Sequence, residues 1–427
     1  MIVPSIDLQG GQTVQLIGGE KKAIDAGDPL PIARRFGIAG TVAVIDLDAA
    51  MRKGSNATLI ESVLPLAPCR VGGGIRDVET ARRWLDQGAT HVILGTAAVP
   101  EILSELPKER VIAALDARHG EVVVEGWTQG TGRGVVERMN ELKPFVGGFL
   151  VTFVEREGRM EGIDLTVVET LVKAAAPARL TVAGGVTTLD EVAAIDRLGA
   201  DCQVGMALYT GRMDLGDAIV APLASDRPDG LFSTVVVDER GVALGLCYSD
   251  RESVREAVKT GRGVYHSRTR GLWVKGLSSG DTQDLLRIDV DCDSDALRFT
   301  VRQHGRGFCH EGTRTCFGDD DGLFARLETL KARRTNAPAG SYTRRLLDDA
   351  GFLRAKLLEE AGELAEARER THVVGEAADL LYLTLVAMAR AGVELSDVER
   401  ELAKRARKVS RRPGLAKPPP PPSTERT

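Results

Sequence analysis

VGGGIRDVETARRWLDQGATHVILGTA, residues 71–97, and VAGGVTTLDEVAAIDRLGADCQVGMA, residues 182–207, carry one pattern twice. Each reads as an apolar strand, a glycine-rich turn, an amphipathic helix and a second strand ending in glycine. Gly73 and Gly184 match across 111 positions. A second pair agrees. IDLQGGQTV from Ile6 and LDARHGEVV from Leu115 set Asp7 against Asp116, 109 positions apart. This period is too long for a solenoid. It fits the two halves of a closed (β/α)8 barrel, four β-α units each, over about 220 residues. An open doubly wound sheet is the alternative, and the half-chain repeat favours the barrel.

The chain has 427 residues, enough for two to four domains. Aromatics are only 4%, so the core must be aliphatic. A net charge of -5 argues against a nucleic-acid surface. No apolar run reads as long enough to span a bilayer, which argues against a membrane protein. The start, MIVPSIDLQG, reads as a strand and not as a signal peptide, so a cytoplasmic location is expected. Cys69, Cys202 and Cys247 sit singly in apolar stretches, as buried free thiols do. Cys292, Cys309 and Cys316 cluster, and without an export signal a cluster points to metal or catalysis.

The expected domains are residues 1–220, the barrel; 228–332, a β-rich α+β domain; 340–410, an all-α helical domain; and 411–427, a disordered tail. GDAIVAPLASDRPDG (216–230) and RRTNAPAG (333–340) read as linkers. Between them lie short strands with one helix near 251–260. Amphipathic helices follow, and RRPGLAKPPPPPSTERT closes the chain.

In a barrel the C-terminal strand ends face the active site. Asp7 and Asp116 would then face each other as general base and general acid. Glycine-rich strand ends at Gly73, Gly95–Thr96, Gly184–Gly185 and Gly205 could offer backbone N–H groups to two phosphates. The bland reading is that the glycines make turns and the aspartates cap helices. IVPSIDLQGGQTV, DLDAAMRKGSN, VGGGIR, ALDARHGEVVVEGW and GMALYTG resemble the ProFAR isomerase family of histidine biosynthesis. The resemblance covers residues 1 to about 215 and implies an Amadori rearrangement of a bisphosphorylated aminoaldose. Asp7 would take the C2 proton, Asp116 would open the ribose ring, Trp127 would cover the heterocycle and Arg76 would contact substrate. The chain departs from that family at Gln15, where Arg is usual, and at Phe153, Glu157 and Arg159 in TFVEREGRMEG. A folded barrel without activity, serving as a scaffold or dimerisation domain, is the alternative.

DCDSDA, residues 291–296, places Asp291, Asp293 and Asp295 on one face of a strand and Cys292 on the other, if it is a strand. A solvated acidic edge or turn is the bland reading. With FCHEGTRTC, the thiols of Cys292, Cys309 and Cys316 and the His310 imidazole form a soft set suited to Zn²⁺. The aspartates suit Mg²⁺. RPDGLFSTVVVD, GRGVYHSRTRGLWVKGLSSG, DVDCDSDALRFTVRQ and GFCHEGTRTCFG resemble the phosphoribosyl-AMP cyclohydrolases. That resemblance implies zinc on the three cysteines and Mg²⁺ on the three aspartates. It implies water attack at C6 of the adenine ring, with His310 assisting proton transfer and Ser267, Arg268 and Arg270 contacting substrate. Zinc ligands drawn from two subunits would make the protein a homodimer.

KLLEEAGELAEA sets Glu360 and Glu363 on one helix face, and GEAADLLY does the same with Glu376 and Asp379. Such carboxylates on a helix are most often solvated surface. Asp379 precedes the apolar LLYLTLVAMA run, which suggests the core side. With SYTRRLL, these motifs resemble the phosphoribosyl-ATP pyrophosphohydrolases. The resemblance covers about 340–410 and implies Mg²⁺ on Glu360, Glu363, Glu376 and Asp379, with Glu359 a further candidate and Lys356 on phosphate. The three resemblances share one pathway and phosphoribosyl nucleotide substrates.

Overall fold

The computed structural model describes residues 1–410 except positions 20, 125, 126, 128, 319–321 and 339. The expected tail, 411–427, lies outside them. The chain divides into two compact units, Met1–Met213 and Asp214–Arg405, with the few described residues after 405 grouped with the first.

Eight parallel strands build the barrel of the first unit, β1 (Ile2–Gln9), β2 (Val42–Asp46), β3 (Cys69–Gly72), β4 (His91–Leu94), β5 (Val111–Arg118), β6 (Gly148–Phe153), β7 (Arg179–Ala183) and β8 (Asp201–Val204), with antiparallel hairpin strands added after β1 and β5. Each pairs in parallel with the next, and β8 pairs in parallel with β1, through Cys202 opposite Ile2. That last pairing closes the barrel and removes the open-sheet alternative. The strands are nearly continuous apolar runs, as parallel strands covered by helices require.

The repeat has a physical basis. Asp77 caps the Val78–Gln87 helix, and Thr188 forms a capping box with Glu191 at Leu189–Arg197. Gly73, at φ +90°, lies so close to the end of β2 that an added Cβ would stand 2.2 Å from the Asp46 carbonyl oxygen. Gly184, at φ +83°, meets the end of β6 the same way, 2.5 Å from the Phe153 oxygen. Both halves therefore need glycine there. At the other end of the barrel, buried Asp201 accepts from Arg179 Nη2 at 2.7 Å and Arg70 Nη2 at 3.2 Å.

The second unit holds a six-stranded sheet: β9 (Phe232–Val237), β10 (Ala243–Ser249), β11 (Val264–Ser267), β12 (Gly271–Val274), β13 (Gln283–Val290) and β14 (Ala296–Gln303). Its order is β12-β11-β10-β9-β14-β13, with only β9 and β14 parallel. The expected helix is Arg251–Thr260, capped by Asp250. Tyr265 and Phe299 fill its core, ring centroids 5.3 Å apart.

Helices Leu323–Asn336, Tyr342–Asp348, Ala350–Glu366 and Arg370–Ala391 follow, packed through Leu327, Leu330, Leu346, Leu353, Leu383 and Val386. Two linker readings change. Residues 216–220 belong to the Leu215–Val220 helix, and 333–336 continue the Leu323–Asn336 helix, because neither stretch meets a proline until Pro222 and Pro338. The membrane reading also changes. Arg370–Ala391 is long and apolar enough to cross a bilayer by length and composition. Its Glu376 and Asp379 interrupt the run to the eye, and its apolar end packs into the helical core.

Candidate active sites

A cavity of about 1540 Å³ opens at the C-terminal strand ends of the barrel. Asp7, Gly73, Arg76, Gly95, Thr96, Asp116, Trp127, Gly184, Gly185 and Gly205 all line it. Ile93, Leu150 and Ala183 form part of its apolar floor. Burial raises Asp7 to about 6, against hydrogen bonds from Ser5 Oγ (2.8 Å) and Gln15 Nε2 (3.2 Å). Asp116 is raised too, by burial, against hydrogen bonds from Trp127 and Thr152. Trp127 sits at φ +71° with its ring against Gly19, where a Cβ would stand 2.3 Å from it. Arg76 spans the loops, donating to the Ala49 and Ala50 carbonyls at 3.0 and 2.9 Å.

Sequence reasoning passed over Glu157 as a site residue. It lines the same cavity, and burial, with the charges of Asp7 and Asp116, raises it to about 8. Its loop is pinned to the hairpin after β1, since Gly18 N donates to the Glu157 carbonyl at 3.1 Å. Gln15, also absent from the candidates, is 2% exposed and braces Asp7. Both stand where the sequence departs from the isomerase pattern, and that departure was the available signal.

In the second unit the strand reading of DCDSDA is overturned. β13 ends at Val290, and residues 291–295 form a turn with Ser294 at φ +62°. The turn gathers what a strand face would have spread. Asp291, Asp293 and Asp295 bring carboxylate oxygens within 4.8 Å of one another. Asp291 Oδ1 also accepts from the backbone of Asp295 and Ala296, both at 3.0 Å. The Cys309 and Cys316 thiols lie near each other, and His310 Nδ1 lies 3.9 Å from Cys309 Sγ. Cys292 Sγ instead contacts Asp293, at 3.7 Å. Among the described residues, no gathered group of three ligands includes it with the other two cysteines. Cys69, Cys202 and Cys247 are free and buried as expected, but Cys247 lies near Cys316. Ser267 hydrogen-bonds Thr269 at 3.3 Å, Arg268 lies over Tyr248, and Arg270 lies over Trp273.

On the helices, Glu360, Glu363 and Glu376 place oxygens within 4.8 Å of one another. The hydrogen bond and charge of Glu376 raise Glu363. Lys356 Nζ pairs with Glu359 at 2.8 Å and Glu360 at 3.3 Å. The core-side reading of Asp379 is corrected: Asp379 is exposed and is not one of these three gathered carboxylates, because the core contacts of its helix begin only at Tyr382 and Leu383.

Three family models match the chain in order: histidine biosynthesis protein over 1–214, phosphoribosyl-AMP cyclohydrolase over 245–318 and phosphoribosyl-ATP pyrophosphohydrolase over 326–406. The first covers half of the sequence. The chain belongs to the histidine biosynthesis protein family. A phosphoribosyl imidazole-4-carboxamide isomerase of Gemmatimonas aurantiaca is 38% identical over 226 residues, 50% of this chain and 94% of that protein. A histidine biosynthesis bifunctional protein of Schizosaccharomyces pombe is 53% identical over 206 residues, 48% of this chain and 49% of that protein. A histidine biosynthesis trifunctional protein of Komagataella pastoris is 51% identical over 207 residues, 48% of this chain and 25% of that protein. The chain thus matches about half of the first of these fungal relatives and a quarter of the second. This member of the histidine biosynthesis family joins an isomerase-type barrel to the two hydrolase domains.

Proposed function

We propose that the chain performs three consecutive steps of histidine biosynthesis. The helical region hydrolyses phosphoribosyl-ATP to phosphoribosyl-AMP and pyrophosphate. The six-stranded domain opens the adenine ring to give ProFAR, and the barrel isomerises ProFAR to PRFAR. The observation that carries this reading is the presence of three family matches in one chain, joined to a barrel mouth that holds both Asp7 and Asp116.

In the barrel, Asp7 is the base. A carboxylate near 6 is ionised at neutral pH yet basic enough to take the C2 proton. Asp116, also raised and steadied by Trp127 and Thr152, hands a proton to the ring oxygen. The Gly73, Gly95–Thr96, Gly184–Gly185 and Gly205 turns and Arg76 position the two phosphates, and Trp127 covers the heterocycle.

The hydrolase sites fit metal ions by their donor chemistry. Two adjacent thiols suit Zn²⁺, and carboxylate triads within 4.8 Å repel one another unless a hard cation is bound. Cys309 and Cys316 would hold zinc with Cys292 of a second subunit, which makes the working form a homodimer. Asp291, Asp293 and Asp295 would hold one Mg²⁺. Glu360, Glu363 and Glu376 would hold another, with Asp379 and Glu359 as further ligands. Bound zinc supplies an activated water, and bound Mg²⁺ offsets phosphate charge. His310 moves a proton at the adenine ring, Ser267, Arg268 and Arg270 orient the nucleotide, and Lys356 contacts phosphate. Location in the cytoplasm is consistent with these reduced thiols.

Incubating the purified chain with phosphoribosyl-ATP, Mg²⁺ and Zn²⁺, with chromatography over time, tests the reading. PRFAR should accumulate. A halt at ProFAR would leave the barrel as a scaffold, and unchanged phosphoribosyl-ATP would overturn the whole assignment.

A further inference from the structure

The segment before β9 was read as a linker, yet it is built into the six-stranded domain. Ala224 N donates to the Ser294 carbonyl in the acidic turn at 2.9 Å, and Ser225 Oγ donates to the Leu231 carbonyl at 2.7 Å. Between these anchors stands Arg227. Its guanidinium lies over the Tyr248 ring, 4.4 Å from the centroid. Arg268 lies over the same ring at 4.9 Å.

Two guanidiniums on one tyrosine repel each other, and a cation–π contact offsets only part of that cost. The nearby carboxylates do not answer both charges. Asp229 takes Arg227 Nε at 3.0 Å and Nη2 at 2.7 Å. Asp250 is committed to His266 Nδ1 at 2.6 Å. Arg268 is exposed and has no ion pair among the described residues. Asp229 answers only the Nε–Nη2 edge of Arg227, so Arg227 Nη1 and the whole Arg268 guanidinium stand on one rigid ring with no carboxylate partner among the described residues.

We propose that Arg227 and Arg268 form a phosphate clamp across Tyr248, which takes one phosphate of phosphoribosyl-AMP. This rests on the cyclohydrolase reading of the domain. Planar guanidiniums match phosphate oxygens, and the ring fixes their orientation before substrate arrives. The Ala224–Ser294 contact ties the clamp to the acidic turn, so nucleotide and turn are registered by one short segment.

The test uses the full chain as wild type, Arg227→Ala and Arg227→Lys. Cyclohydrolase kinetics with phosphoribosyl-AMP are measured beside inhibition and calorimetric binding by AMP. For Arg227→Ala, KM and the AMP inhibition constant should each rise roughly tenfold, with kcat held within about twofold. Arg227→Lys should recover part of the affinity but not all. Unchanged KM and AMP affinity in a variant that melts like wild type overturns the clamp, and so does a fall in kcat alone. If Arg227→Ala melts early, Arg227→Lys decides by the same readouts. A wild-type chain that binds AMP but does not turn over phosphoribosyl-AMP sinks the cyclohydrolase reading. AMP calorimetry on the variants then still decides whether the clamp exists.

Discussion

The Gln15 carboxamide links Asp7 to the Gly205 turn. Its Nε2 donates to the Asp7 carboxylate at 3.2 Å, and its Oε1 lies 2.3 Å from where a Gly205 Cβ would begin. A neutral amide thus stands beside the base, where a guanidinium would lower the base's pKa further.

Isomerisation by the barrel should rise with pH through about 6, as Asp7 loses its proton. Asp7→Asn should cost about 10²–10⁴-fold in kcat. Gln15→Arg should move that limb down by about one pH unit, since a cation beside a carboxylate favours its charged form. A pH–rate profile of the three chains checks this, and an unmoved limb would remove Asp7 as the titrating base.

Glu157→Gln should stabilise the protein at alkaline pH. The Glu157 carboxyl is raised to about 8, so the folded state holds its proton more tightly than the unfolded chain does. Stability from that proton is full below the unfolded value and is lost as pH rises toward 8. The gain at pH 8 should be on the order of 4 kcal/mol, and near zero at pH 4. Thermal melts at both pH values measure it.

Asp201 has the opposite sign. It is buried and, although burial alone would raise it, Arg179, the Met1 ammonium and Arg70 hold it at about 2. Its contribution is present above the unfolded carboxylate value and lost as pH falls toward 2. Asp201→Asn leaves cations without their partner and should cost about 3–5 kcal/mol by urea unfolding at pH 7.

Chains carrying Cys292→Ala and Cys309→Ala should each lack zinc and cyclohydrolase turnover. Mixed after unfolding and refolded together, they should regain about a quarter of wild-type turnover, because half the dimers are mixed and each holds one intact site. Zinc content per chain should recover in step. No recovery would place all three cysteines in one subunit.

Glu363→Gln should abolish pyrophosphate release while added phosphoribosyl-AMP is still converted. Its carboxyl is raised by Glu376, a clash that a bound cation would relieve. A coupled pyrophosphate assay reads this directly, and normal release would remove Glu363 from the site.

What could be read from the residues followed local rules. The half-chain repeat announced the barrel because its strand–turn–helix units recur with glycine at forced close approaches, Gly73 and Gly184. Asp7 and Asp116 followed from strand polarity. The misses depended on closure in three dimensions. The Asp and Ser residues of DCDSDA allowed a turn as well as a strand, and Ser294 at positive φ is neither glycine nor asparagine, so nothing local chose the turn that gathers Asp291, Asp293 and Asp295. Asp379 depended on helix rotation, which the apolar run beside it suggested wrongly. Glu157 and Arg227 lie in loops, and only the folded chain shows what they approach.

The seams of the barrel carry a consequence for assembly during synthesis. β1 through β4 emerge first; β4 gains its second parallel partner only when β5 arrives, and the Ile2–Pro4 end of β1 only when β8 does. A truncated first half would present two open backbone edges of nearly identical design to the missing second half. It should therefore recruit a copy of itself.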